Sequence, residues 1–187
     1  IAYGMPPKFG ALKRIKVVQD PDSFKRNLNM YVLAEDSNGF LTAANNTIKE
    51  NLKMWLNNYK MIHDTIDILD GKIVNYGIEY HAIANPEYNK YDVLAEAQRV
   101  LTQHFKQPLY MGESLYITDI YSLLNKKVKG LIDVKSVKII TRTGGVYSRV
   151  TYDFDAETSA DGRYLHVPDN VSLEIKFPTS DIKGTIE

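Results

Sequence analysis

Side chains able to exchange protons or hold a cation are densest at His63, Asp64, Asp67 and Asp70. An imidazole beside a carboxylate is the arrangement of a general base or of a metal ligand. The same residues also fit a helix end followed by the polar edge of a strand, because neighbours in sequence need not converge in space. The other histidines, His81, His104 and His166, are scattered, and none forms the i, i+4 pair that presents two ring nitrogens to zinc. Asp153, Asp155 and Asp161-Gly162 have the residue types of a calcium loop but neither its spacing nor its closing glutamate. Gly144-Gly145 lacks the lysine of a phosphate-binding loop and lies between two β-prone runs, so it reads as a hairpin turn. No Gly-x-Ser-x-Gly elbow occurs. Tyr147, Arg149 and Tyr152 interleave aromatic and basic side chains, as on a single-strand nucleic-acid platform or on a strand with one polar face.

Composition narrows the classes that remain. The chain of 187 residues is long enough to bury a core without staples. Its 23 Lys and Arg balance 23 Asp and Glu, so no overall field draws it to nucleic acid or an anionic membrane. Cysteine is absent, which removes thiol nucleophiles, thiolate metal sites and disulfides and suits synthesis in a reducing cytosol. No stretch reaches the roughly 18 to 20 apolar residues of a membrane helix. The chain starts at Ile1 rather than methionine and carries no signal pattern, and so reads as part of a longer polypeptide. Thirteen tyrosines, which bury a ring while keeping a polar tip, tilt the composition toward interfaces.

The elements that must position these residues follow from periodicity. Leu12 to Val18 and Leu28 to Ala34 predict two strands either side of an Asp-Pro-Asp-Ser turn. Ile48, Leu52, Trp55, Leu56 and Tyr59 form one helical stripe, Thr47 and Glu50 have capping-box spacing, and Trp55 is expected to anchor a core. Residues 65 to 83 predict two strands with a turn at Asp70-Gly71. A second helix is expected from Asn89 to Phe105, and a third, capped by Thr118 and Asp119, ending at Gly130. Leu131 to Thr141 predicts a strand and Val146 to Phe154 its hairpin partner, followed by a mobile loop at 155–163 and a half-buried strand at 171–177. Hairpin-paired strands with segregated helices predict an α+β fold: antiparallel or mixed sheets with three helices packed against them. Residues 1–62 read as a β-hairpin plus amphipathic helix and connecting region, and 63–187 as an α+β module.

The run Asn51 to Ile68, followed by Ile73 to Tyr80, Gly112 to Ile120 and Val128 to Val137, resembles the baseplate J-like family of contractile phage tails. The similarity covers residues 8–142, with Pro7-Lys8-Phe9-Gly10 before the first β-run also fitting, and looks like the C-terminal module of a myophage baseplate wedge subunit. The resemblance implies an architectural subunit of the virion tail baseplate, assembled in the host cytoplasm. Such a subunit self-associates as a homodimer or higher ring and binds other wedge subunits around the tail hub, in a ring that rearranges on host attachment. It brings no catalytic residue, cofactor or metal ligand to this chain, and no nucleic-acid or membrane partner.

The expectation is therefore a non-enzymatic assembly protein, with Tyr110, Tyr116 and Tyr121 as candidate interface residues. Two alternatives remain at this point: a soluble enzyme domain with its site near His63, Asp64 and Asp67, and a nucleic-acid module using the strand around Arg149.

Overall fold

The period-two runs and helical stripes become strands and helices in a computed structural model that describes residues 1–20, 27–61, 65–106 and 109–187. Among the described residues there are five α-helices and ten strands in antiparallel and mixed open sheets, an α+β fold. Three of the helices are long, as the sequence predicts, and two are single turns. The chain forms two units: Ile1–Ile73 with Tyr110–Gly112 and Pro168–Ser172, and Val74–Leu109 with Glu113–Val167 and Leu173–Glu187.

In the first unit, β1 (Leu12–Gln19) pairs antiparallel with β2 (Asn27–Glu35), which also pairs antiparallel with β3 (Leu41–Ala43). The amphipathic helix α1 (Asn46–Asn57) comes next, then β4 (Thr65–Asp70), which pairs parallel with β2. Leu52 and Leu56 of α1 join Met5, Met30, Val32, Ala34 and Ala44 in one buried cluster. Trp55 packs against that cluster while half-buried, its indole N–H donating to the Ile1 carbonyl at 3.2 Å. The expected Thr47 cap is corrected by two residues: Asn45 Oδ1 accepts from the Ile48 N–H at 2.8 Å. The asparagine side chain satisfies one orphan amide of the first turn, which places the cap at Asn45 rather than at Thr47.

The second unit is organised by β5 (Lys72–Ala84), the longest strand. Val74, Tyr76, Ile78, Tyr80 and Ala82 are each at most 2% exposed, and Asn75 and Gly77 on the opposite face are buried as well. Helix α2 (Lys90–His104) is capped by Asn89 and buries Val93, Ala97, Val100 and Leu101. The two-residue strand β6 (Leu115–Tyr116) runs directly into α3 (Ile117–Lys127), which packs on β7 (Leu131–Arg142). Helix α3 starts without the expected Thr118 or Asp119 cap, because the Arg163 carbonyl accepts from the Ile117 and Thr118 amides at 2.8 and 3.3 Å.

Residues 155–163, expected as an exposed, mobile loop, are mostly exposed and begin with a helical turn that the sequence reading did not include. The single-turn α4 (Phe154–Glu157) is capped by Asp153, and a turn then leads to β8 (Tyr164–Leu165), which pairs with β6. The last elements are β9 (Val171–Glu174), the turn α5 (Pro178–Asp181) and β10 (Ile182–Ile186). Strand β9 buries Val171, Ser172 and Leu173 alike, so it is covered on both faces rather than half-buried. The sheet order is β10-β5-β7, β10 parallel and β7 antiparallel to β5, with β9 also on β5.

The predicted hairpin after β7 does not form: residues 143–153 are irregular. Two buried side chains capture them instead. Asn75 accepts from the Ser148 N–H at 2.7 Å and donates to Glu174 Oε2 at 2.9 Å. Asp181, 1% exposed, accepts from the Tyr147 hydroxyl at 2.7 Å and the Phe177 N–H at 2.8 Å, with Arg142 Nε 3.6 Å away. Gly77 lies beneath, where a Cβ would come within 2.6 Å of the Asp181 carbonyl oxygen. Buried polar groups need partners, and the excursion supplies them at the expense of strand pairing.

Tyr80 sits opposite Gly184, where an added Cβ would overlap its ring, and its hydroxyl has no hydrogen-bond partner among the described residues. Burial pushes its phenol pKa up to about 12, and burial raises that of Tyr76 too. The folded state thus favours the neutral phenol, so this stability is full below about pH 10 and falls as pH climbs through about 12. Tyr80→Phe is expected to raise stability by about 1 kcal/mol and make the alkaline decline shallower, measured by urea unfolding between pH 7 and 12.

Candidate functional site

The residues singled out for chemistry are dispersed or engaged locally. His63 and Asp64 lie outside the described residues. Asp67 accepts from the Asn27 side-chain amide at 2.9 Å, and Asp70 pairs with Lys49 at 2.6 Å. The depression beside Asp67, between α1 and β4, has a volume of about 70 Å³, too small for a substrate. His81 is exposed on β5, His104 meets Phe105 edge-on, and His166 is 3.8 Å from Glu157. Asp153 caps α4, and Asp161 accepts from the Ser159 hydroxyl at 2.6 Å. Among the described residues no group of three or more His, Asp or Glu side chains converges as a metal site would require. Arg149 is exposed within the irregular segment, so the strand that would have made it a nucleic-acid platform is absent.

The candidate interface tyrosines separate by environment. Tyr110 is 71% exposed. Tyr116 is 53% exposed and stands beside its cross-strand partner Tyr164, ring centroids 6.1 Å apart. Tyr121 is half-buried, and its hydroxyl accepts from the Val137 N–H at 3.0 Å. Aromatic surface is thus offered by the first two, while Tyr121 belongs to the packing of α3 on β7.

That Val137 contact marks the feature that sequence reasoning missed. On β5, Ala84 donates to and Ala82 accepts from Glu187, so even-numbered residues turn their backbone groups toward the β10 side. Tyr80, Ile78 and Tyr76 share that parity, and their β7 partners Val137, Ile139 and Thr141 occupy non-hydrogen-bonded positions. Their N–H and C=O groups therefore point away from the sheet. The Tyr121 hydroxyl receives the Val137 amide, and the Thr141 hydroxyl donates to the Tyr152 carbonyl at 2.9 Å. Between these two fixed points the outward backbone groups make no hydrogen bond among the described residues.

A cleft of about 850 Å³ runs along this edge. Residues 137–141 line one side, and Tyr152–Asp155 with the turn after α4 line the other. Its lining holds two carboxylates, Asp153 and Asp155, and a single lysine, Lys138. Burial, and then Glu157, raise the Tyr152 phenol pKa, and its hydroxyl donates to the His166 carbonyl at 2.9 Å, fixing that wall. The visible signal was the β-branched run of β7 itself; what misled was the neighbouring run 146–154, which reads as the strand that would fill the cleft.

No protein-family model matches the chain, and no curated protein matches it. Among solved structures it is similar to a chain in the cryo-EM structure of the anti-feeding prophage (AFP) baseplate, six-fold symmetrised. The TM-score is 0.51 at 12% identity. The likeness covers 94% of this chain and 35% of that one, so the protein spans about a third of the length of the chain it matches. At this identity the likeness is one of fold.

Residues 143–150, captured by Asn75 and Asp181, lead into the Tyr152–Asp155 side of the cleft. Asp181→Ala removes the acceptor of Tyr147 and Phe177 and the counter-charge of Arg142, and is expected to cost about 1–3 kcal/mol of stability. The Asp181 carboxylate, followed by burial, also holds the Tyr147 phenol above the ordinary tyrosine range. Spectrophotometric titration should show one tyrosine returning toward that range in the variant.

Proposed function

We propose that this chain is a structural subunit of a contractile-tail baseplate wedge and not an enzyme. The observation that carries the reading is the fold likeness, over 94% of the chain, to a chain of the AFP baseplate. The residue-level resemblance to the baseplate J-like family points to a baseplate as well. In this reading the protein associates with copies of itself and with other wedge subunits to build the ring around the tail hub. It is assembled in the host cytoplasm and resides in the virion tail, with no nucleic-acid or membrane partner and no cofactor.

The surface supports such a role. A closed ring needs a head-to-tail contact whose rotation closes, or a self-complementary one, and interface cores are enriched in aromatic residues. Tyr110, Tyr116 and Tyr164 supply exposed rings on a chain whose charges cancel. Asp67 and Asp70, near the His63 cluster, are held by Asn27 and Lys49.

Sedimentation velocity across a concentration series tests the reading. A dimer or higher species forming without ligand or metal is the expected result, and Tyr116→Ala should weaken it by about tenfold, as loss of an aromatic anchor does. A monomer at every concentration, together with a metal-dependent activity abolished by His63→Ala, would contradict it.

A further inference from the structure

We propose that the open edge of β7 between Val137 and Thr141 receives an extended segment of another polypeptide, one carrying lysine or arginine beside apolar residues. Ile139 turns both its N–H and its C=O away from β5, and Thr141 turns its N–H the same way. Outward groups two residues apart on a strand repeat at about 6.6 Å, the repeat of another extended chain. A peptide in that conformation offers an acceptor and a donor at the matching positions, which is how strand addition at a sheet edge gains affinity.

The first half of β7 is closed to such pairing. Register shifts fall between His81 and Ala82 and between Ile83 and Ala84 of its partner, and Tyr121 occupies the Val137 amide. Bulges and blocked groups of this kind are how proteins blunt an edge. From Val137 to Thr141 the register is regular, and the cleft beside it, about 850 Å³, is of the size that buries most of a bound molecule.

Charge selects the occupant. The edge forms one side of the cleft and Tyr152–Asp155 the other. A second copy would bring an equally acidic cleft against this one, so like charges would meet. Asp153 and Asp155 outweigh Lys138 in the lining, and this net negative charge complements a basic segment. The inference goes beyond the assembly reading and does not rest on it, since it concerns only this edge.

The test uses the intact chain and three fluorescent heptapeptides of alternating valine and threonine. One has lysine at both ends, one has glutamate, and one is the lysine peptide with a central proline. Fluorescence anisotropy should show the lysine peptide binding at least about tenfold more tightly than the other two, with the largest amide shifts at Ile139 and Thr141. Ile139→Pro deletes an outward N–H while sparing the β5 ladder, and should abolish binding with the far-UV spectrum unchanged. If that variant fails to fold, Asp155→Lys serves in its place and should reverse the preference toward the glutamate peptide. The proposal is overturned if no peptide binds, if the glutamate peptide binds as tightly as the lysine one, or if the shifts fall away from residues 137–141. Self-association abolished by Ile139→Pro, without peptide uptake, would assign the edge to a second copy and overturn it equally.

Discussion

Two buried polar side chains, Asn75 and Asp181, decide the path of the chain after β7. Both are at most 2% exposed, and both take their partners from the excursion 143–150. A hairpin would have given residues 146–154 a ladder of backbone bonds, but it would have taken one hydrogen-bond partner each from a buried amide and a buried carboxylate. Losing a partner at a buried polar group costs more than exposed ladder bonds return, because those ladder groups can bond to water instead. The excursion therefore binds these two side chains rather than β7, and β7 remains the boundary of its sheet.

With β7 left at a boundary, strand edges in this protein are managed by tyrosine. In the first unit the Tyr3 hydroxyl accepts the outward amide of Ile15 on β1, and in the second Tyr121 does the same for Val137 on β7, each at 3.0 Å. A phenol suits this task, since its ring packs on the sheet while its tip reaches a backbone group at the rim. Other tyrosines furnish exposed rings, as Tyr110 and Tyr116 do, or fill the core, as Tyr76 and Tyr80 do. The acids behave in a parallel way: Asp67, Asp70, Asp153 and Asp161 each hold a local amide, hydroxyl or ammonium rather than facing one another.

Much of this was legible in residue order, and the failures share a cause. The stripe Ile48, Leu52, Trp55, Leu56, the Asn89-capped helix and the alternation of β5 are decided by contacts within or next to each element, so periodicity reveals them. Helix boundaries slipped where a cap came from outside the expected motif, as when the Arg163 carbonyl served the amides that start α3. The missing hairpin was decided by contacts 73 and 34 residues apart in sequence, Ser148 with Asn75 and Tyr147 with Asp181. No local pattern carries that information, and Val146 to Tyr152 keeps its strand-like composition while folding otherwise. The interface tyrosines illustrate the same limit, because residue type does not distinguish the exposed ring of Tyr116 from the half-buried one of Tyr121.

Amide hydrogen exchange, compared between the isolated chain and the same chain within an assembled tail particle, tests the central claim that this protein works through surfaces completed by its neighbours. The account predicts that Ile139 and Thr141 exchange rapidly alone and slowly in the particle, while Val137, already held by Tyr121, is protected in both. Equal exchange at Ile139 and Thr141 in the two states would contradict it.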